Sequence, residues 1–289
     1  SPARPHPPPW AANIRPYQLD AAHWLQHPPN RGRLIALCPG LGKSCAAIAA
    51  LRLRFDKGQI DSTIPVITRA IARSDWSREV ALWWPEAKVH VMRVDDIEYR
   101  RKGELRHDFF NRRKAAWVRA LRAGAGAGAA SSPSVTPTLG AATTPTFLIA
   151  SYEAVRDLRD AALEYHLLVA PIVWAEAHAL TYASTVTSTL ARTLISKARL
   201  NILLTGTPIH NRPPALFNLL QIMDPVKFPS FFSWARDFFM IRNNKFGSTV
   251  DELLDKPGLK RALEPYFFDV DPEVAMGALP PRLFYLRPI

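Results

Sequence analysis

The chain has 289 residues, 48% of them hydrophobic, with 37 Lys+Arg against 25 Asp+Glu, a net charge of +12 and a pI near 10. That is enough for one large or two small globular domains, and no run approaches the roughly 18 apolar residues a membrane-spanning helix needs, so no membrane partner is expected. The positive excess favours a polyanionic partner, most simply nucleic acid, and Cys38 and Cys45 are too few for a disulfide framework and lack zinc spacing.

The first residue is Ser1 rather than Met, which reads as a removed or omitted upstream segment, either a targeting peptide or a boundary. Residues 1–13, beginning "SPARPHPPPW", are too proline-rich for a helix or central strand and read as an extended arm, with ordered structure from about Ile14. The run "RLIAL" (33–37) leads into "CPGLGKS" (38–44) and then the helical "CAAIAALRLRF" (45–55), giving strand, glycine turn and helix. "STIPVIT" (62–68) predicts a second strand, and "SDWSREVALWW" (74–84) a helix. Residues 93–122 are basic, with ten Lys/Arg against five Asp/Glu. The low-complexity stretch 124–146 has too little large apolar surface to offset its ordering entropy and reads as a flexible insertion. "TFLIASY" (146–152), "LVAPIVWA" (168–175) and "LNILLTG" (200–206) are further buried strands separated by helical segments. The alternation predicts an α/β fold, a mainly parallel sheet covered by helices on both faces.

"GLGKS" (40–44) ends like the phosphate-binding loop G-x-x-x-x-G-K-[ST], with Leu37 where the first glycine is expected. In such loops backbone amides and a helix N-terminus hold phosphates, the lysine reaches the β- and γ-phosphates, and the hydroxyl faces magnesium. Gly40, Gly42, Lys43 and Ser44 are therefore the nucleotide-binding candidates. The segment "YRRKGELRHDFFNRRKAAWVRALR" (99–122) has two readings. Arg100, Arg101, Lys102, Arg112, Arg113 and Lys114 contact phosphates while Phe109, Phe110 or Trp117 stack on bases, or the segment is an amphipathic helix docked by its apolar side. The aromatic spacing of "PSFFSWARDFFM" (229–240) favours core over a stacking platform.

Several motifs occur in a characteristic order: "IRPYQLDAAHWL" (14–25), "ALCPGLGKSCAAIA" (36–49), "PVITRAIARSDWSREVALWWP" (65–85), "FLIASYEAVR" (147–156), "IVWAEAHAL" (172–180), "LLTGTPIHNRPPALFNLLQIMDPVKFPSFFSWARDFF" (203–239) and "ALPPR" (278–282). Together they resemble the first RecA-like lobe of the Swi/Snf-type helicase-like ATPases of helicase superfamily two; "NRPPALFNLL" is similar to the annealing-helicase branch. The resemblance implies a P-loop lobe over 14–289, with a helical extension at about 225–270 and the second lobe outside these residues. It also implies ATP and magnesium as ligands, adenine recognition by Gln18, Glu176 as activator of the attacking water, and coupling of His178 to Thr205, Gly206 and Thr207.

The departures from the family pattern fall on the chemistry. The family's D-E-A-H box is "AEAH" here, so Ala175 stands where an aspartate holds the magnesium shell, and Leu37 and Cys38 replace an acidic pair. Asp269 and Val270 stand where the family has paired arginines. Loss of charge beside a phosphate-bound metal weakens the positioning and electrostatics of phosphoryl transfer. Ala175 fits drift, an engineered change, or an active enzyme with a water-mediated metal shell.

The expected function is a degenerate helicase-like lobe that no longer hydrolyses ATP. It would serve as a scaffold bound to RNA or DNA and to other proteins of a larger ribonucleoprotein, an organellar ribosome being one setting, with a mitochondrial location. The alternative is the N-terminal lobe of an ATP-dependent DNA translocase or annealing helicase, active with its second lobe and located in the nucleus.

Overall fold

The computed structural model describes residues 8–60, 63–92, 103–122, 144–164, 171–182, 184–206, 213–244 and 247–271, with 273 and 275. In chain order the elements are α1 (Pro16–Trp24), β1 (Gly32–Ile35), α2 (Lys43–Asp56), β2 (Ile64–Thr68), α3 (Arg73–Trp83) and β3 (Lys88–Val91). Next come α4 (Arg106–Arg122), β4 (Thr146–Ser151), α5 (Val155–Glu164), β5 (Ile172–Ala175), α6 (Val186–Lys197) and β6 (Asn201–Leu204). The last are α7 (Pro213–Met223), α8 (Phe231–Phe238), β7 (Phe239–Asn244), β8 (Gly247–Leu253), α9 (Lys256–Leu263) and β9 (Phe267–Phe268).

Seven strands form one sheet in the order β3-β4-β2-β5-β6-β1-β9, and every neighbouring pair is parallel. Parallel strands joined by helical crossovers are covered on both faces, which explains why β2, β4, β5 and β6 are near-continuous apolar runs buried at every position. Successive side chains alternate between two cores. Ile35, Val66, Ile149, Val173 and Ile202 lie beneath α1, α2 and α3. Leu34, Ile67, Leu148, Trp174 and Leu203 lie beneath α4 to α9. The alanine-rich α2 buries every residue from Cys45 to Leu51, small side chains letting it sit close to both α1 and the sheet. This is the doubly wound, RecA-like α/β fold expected from the strand-and-helix alternation.

Three parts differ from the expected organisation. Residues 8–13 are docked rather than extended: Pro9–Ala11 form a 3-10 turn with Ala11 buried. The Trp10 indole donates to Asp56 Oδ2 at 3.1 Å and lies under the Arg52 guanidinium at 4.8 Å. Proline is compatible with the first turn of such a segment, and the large ring supplies the anchor; residues 1–7 lie outside the described residues. Second, the segment at 225–270 is mixed rather than helical, since β7 and β8 form an antiparallel hairpin between α8 and α9. Phe239, Ile241, Val250 and Leu253 pack on the core, and β9 then pairs in parallel with β1. Third, the proposed insertion 124–146 lies outside the described residues except 144–146, and Thr146 already begins β4. "ALPPR" (278–282) also lies outside them.

The aromatic segment behaves as core: Trp234 and Phe239 are buried and Trp234 packs on Phe217 and Phe231. Of the arginine-pair positions, Asp269 is exposed and Val270 packs against the core.

Candidate nucleotide site

At the C-terminal edge of the sheet, the turn between β1 and α2 has two glycines in the left-handed region, Gly40 at φ 84° and Gly42 at φ 76°. Only glycine adopts such angles freely, and here they bring the chain round so that α2 opens at Lys43. A Cβ on Gly42 would also lie 2.1 Å from Gln18 Nε2, so any side chain there obliges the Gln18 amide to move. The successive amides and the positive end of a 14-residue helix form an anion-receiving concavity.

Lys43 Nζ donates to the carbonyl oxygens of Leu37 at 3.0 Å and Cys38 at 3.4 Å. Burial lowers its pKa, opposed by the charge of Glu176, so the two side chains share one local field. Ser44 stands beside it, partly exposed. The β6 turn closes on this loop: Thr205 is fully buried, its N–H donates to Ile35 O at 3.1 Å, and a Cβ on Gly206 would lie 3.2 Å from Pro39 and 3.6 Å from Lys43 Nζ. Thr207 lies outside the described residues.

Gln18, expected to read adenine, is 6% exposed and committed to the loop in this conformation. Its Nε2 donates to Leu41 O at 3.1 Å and its Oε1 accepts from Arg15 N at 3.0 Å. Tyr17, to which the motif pattern assigns no role, donates its hydroxyl to the same Leu41 carbonyl at 3.1 Å. The α1 helix therefore clamps the glycine turn through two adjacent side chains, and adjacency to Gln18 was the available signal.

At the end of β5, Ala175 is buried and its carbonyl accepts from Tyr152 Oη at 3.0 Å. Glu176 follows at φ 57°, ψ 50°, the only non-glycine with positive φ among the described residues. Such a conformation costs of order 1–3 kcal/mol and is held by its surroundings. His178 Nδ1 stands 3.2 Å from Glu176 Oε2, pairing the two retained members of the box. Tyr152, at the end of β4, is a site residue the motif spacing did not reveal, since its role comes from strand order.

The basic helix departs from its phosphate-contact reading. Arg112 makes a bidentate pair with Glu104 at 2.8 and 2.9 Å, Arg113 binds Asp157 through Nε at 3.0 Å and a second, shorter contact, and Lys114 pairs with Glu164. Trp117, Val118, Leu121 and Phe109 are buried, and Thr63 Oγ1 donates to the carbonyls of Ala120 and Leu121 at 3.2 and 3.0 Å. The docked amphipathic helix is the observed arrangement; its partners on α5 are too distant in sequence to be read from charge runs. Arg100, Arg101 and Lys102 lie outside the described residues. By contrast Arg69 and Arg156, just beyond β2 and β4, are exposed at the sheet's C-terminal edge.

The residues present suit a nucleoside triphosphate: glycine turn, helix terminus and Lys43 all favour bound phosphate. For the accompanying magnesium the fit is partial, with the Ser44 hydroxyl in place and no carboxylate at the end of β5. Among the described residues no group of three or more His, Cys, Asp or Glu is placed to hold a metal ion.

Comparison with known proteins matches residues 17–265 to the family described as the SNF2-related domain. Chromodomain-helicase-DNA-binding protein 1 of Gallus gallus is 27% identical over 246 residues, covering 83% of this chain and 12% of its own length. The Chromodomain-helicase-DNA-binding protein 3 homolog of Caenorhabditis elegans is 28% identical over 253 residues, covering 86% of this chain and 13% of its own. The SWI/SNF-related matrix-associated actin-dependent regulator of chromatin subfamily A containing DEAD/H box 1 of Mus musculus is 24% identical over 276 residues, covering 93% and 23%. The chain thus spans between 12% and 23% of these relatives. The solved structure of the Sulfolobus solfataricus SWI2/SNF2 ATPase core in complex with dsDNA has the same fold, with TM-score 0.58 and 19% identity over 90% of this chain and 44% of that one.

Proposed function

The chain belongs to the SNF2-related family, and from that premise we propose that it is an ATP-binding, DNA-associated lobe whose hydrolytic step is weakened at the metal. The observation that carries the reading is the contrast at one edge of the sheet: a formed phosphate loop around Lys43, and Ala175 where the acid of the box belongs. Glu176 and His178 remain able to orient water. When bound, magnesium would neutralise phosphate charge, with Ser44 as the chain's own ligand. Without a carboxylate on β5 that ion is held less firmly, and each 1.4 kcal/mol of lost transition-state stabilisation slows turnover about tenfold.

Double-stranded DNA is the proposed partner, in keeping with the dsDNA in complex with the Sulfolobus solfataricus ATPase core. Arg69 and Arg156 supply exposed positive charge at the sheet edge. The nuclear setting is preferred because the relatives carry the names of chromatin proteins. The ribonucleoprotein and mitochondrial settings find no support in the names of these relatives, and the charges of Arg112, Arg113 and Lys114 are matched within the chain by Glu104, Asp157 and Glu164.

The test is calorimetric ATP binding to the full-length protein with and without magnesium. The natural protein should bind ATP, and Lys43→Ala should weaken binding by about 10-fold to 100-fold, the worth of a charge-assisted hydrogen bond. Magnesium should tighten binding less in the natural protein than in Ala175→Asp, and DNA-stimulated hydrolysis should rise in that variant. Equal ATP binding by Lys43→Ala, or no gain of any kind from Ala175→Asp, would refute the reading.

A further inference from the structure

The Glu176 backbone stands in the left-handed region at φ 57°, and a strained conformation persists only where its surroundings fix it. Upstream, Tyr152 Oη holds the Ala175 carbonyl at 3.0 Å. Downstream, residues Ala177–Leu180 form a 3-10 turn bonded within itself. Ala179 N–H donates to Glu176 O at 3.0 Å, and Thr181 donates to His178 O through its N–H at 3.2 Å and its Oγ1 at 2.7 Å. A turn that closes on itself needs outside contacts to fix its place on the protein.

Two side chains from later in the chain supply them. Ser188 Oγ donates to Leu180 O at 3.4 Å, and Asn218 Nδ2 donates to Thr181 O at 2.6 Å across 37 positions of sequence. The Asn218 bond is the shorter, and its donor is out of place on local grounds. Asn218 is half-buried in the middle of α7, among the buried Leu216, Phe217, Leu219 and Leu220. Asparagine is a poor helix-interior residue because its amide competes with the backbone, and a buried amide is unfavourable unless bonded. The helix that carries it is itself anchored. Phe217 packs on Phe231 and Trp234 with ring centroids 5.5 and 5.6 Å apart. Asp224, just beyond the helix end, accepts from Asn30 Nδ2 at 2.7 Å and Tyr266 Oη at 2.8 Å.

We propose that Asn218 is a positioning residue for the Glu176–His178 pair, holding through Thr181 the turn on which both side chains stand. Thr181 carries the connection, since its carbonyl receives the Asn218 amide while its own N–H and hydroxyl grip His178 O. Without the Asn218 bond the downstream support of the turn is lost. Glu176 is then free to leave its strained φ, and its carboxylate to leave the field it shares with Lys43.

The proposal rests on the reading of Glu176 and His178 as the water-orienting pair, and two measurements separate the two ideas. In the full-length protein, Asn218→Leu keeps the side-chain volume and removes the donor, whereas Asn218→Gln keeps the amide on a longer arm. Histidine is labelled isotopically at Cε1, and the His178 resonance is identified by its absence in His178→Gln. Asn218→Leu should shift that resonance, and Asn218→Gln should return it toward its natural position. In the Ala175→Asp background, Asn218→Leu should lower kcat for DNA-stimulated ATP hydrolysis about tenfold, the equivalent of one hydrogen bond, with KM for ATP changed by less than about twofold. Asn218→Gln should recover most of that loss. A His178 resonance unmoved by Asn218→Leu would overturn the proposal, and a fall in Tm with no such movement would mark the bond as purely structural. If Ala175→Asp hydrolyses no ATP, the water-orienting reading falls instead, and the His178 resonance still decides whether Asn218 places the turn.

Discussion

The turn after β1 and the turn after β5 stand on one edge of the sheet with only β6 between their strands, yet they depend on different parts of the chain. The first is backbone work: two left-handed glycines, the exposed N–H groups of α2, and a lysine folded back onto the carbonyls of Leu37 and Cys38. It survives the replacement of neighbouring side chains, because Leu37 and Cys38 enter it through their carbonyl oxygens. The second depends on side chains. Ala175 puts a methyl at the end of that strand, beside the strained Glu176 and its pair with His178. A turn built from backbone is insensitive to side-chain replacement in a way that a cluster of side chains is not.

The contrast can be broken most severely at Gly42. Alanine there must adopt a positive φ, costing about 1–2 kcal/mol, and must displace Gln18 Nε2. Gly42→Ala should lose about 3 kcal/mol of stability in denaturant unfolding, with the positive-φ penalty and the steric one combined. Adding Gln18→Ala removes the obstruction, so the double variant should lose less than the sum of the singles. Additive losses would mean that α1 does not clamp the turn.

A smaller effect is expected on the other side. Tyr152→Phe leaves the Ala175 carbonyl without its buried donor and should cost about 1–2 kcal/mol. Because Glu176 is the next residue, its chemical environment should shift by NMR while the Gly40 and Gly42 signals stay in place. Movement of both sets together would show that the two turns are one unit.

The smallest effect is a difference of rate between the two cysteines. Cys45 is buried, and desolvation, with the charge of Glu79 a lesser cause, pushes its thiol up to about 12, so it should resist alkylation at neutral pH. Cys38 is partly exposed in the turn and should be the residue modified, with ATP slowing its modification. Mass spectrometry of the alkylated protein reads both sites.

Much of this was legible in the residues. The buried strands announced themselves as apolar runs, and "GLGKS" placed the glycine turn before α2 because glycine conformation and helix start are local properties. The hairpin at β7 and β8 was hidden behind the aromatic spacing of α8. Edge strand β3, which alternates between exposed and half-buried positions, carries little apolar signal. The basic helix misled for a different reason: a count of arginines does not show that Glu104, Asp157 and Glu164 meet them.

Local chemistry in the chain by itself therefore determined the α/β architecture and the glycine turn that opens α2, since each depends on neighbours in sequence. Only tertiary structure decided that Gln18 and Tyr17 brace the glycine turn and that Tyr152 holds the carbonyl before Glu176. Those relations arise from strand order and from a helix returning across the sheet, which bring together residues 23 or 24 positions apart.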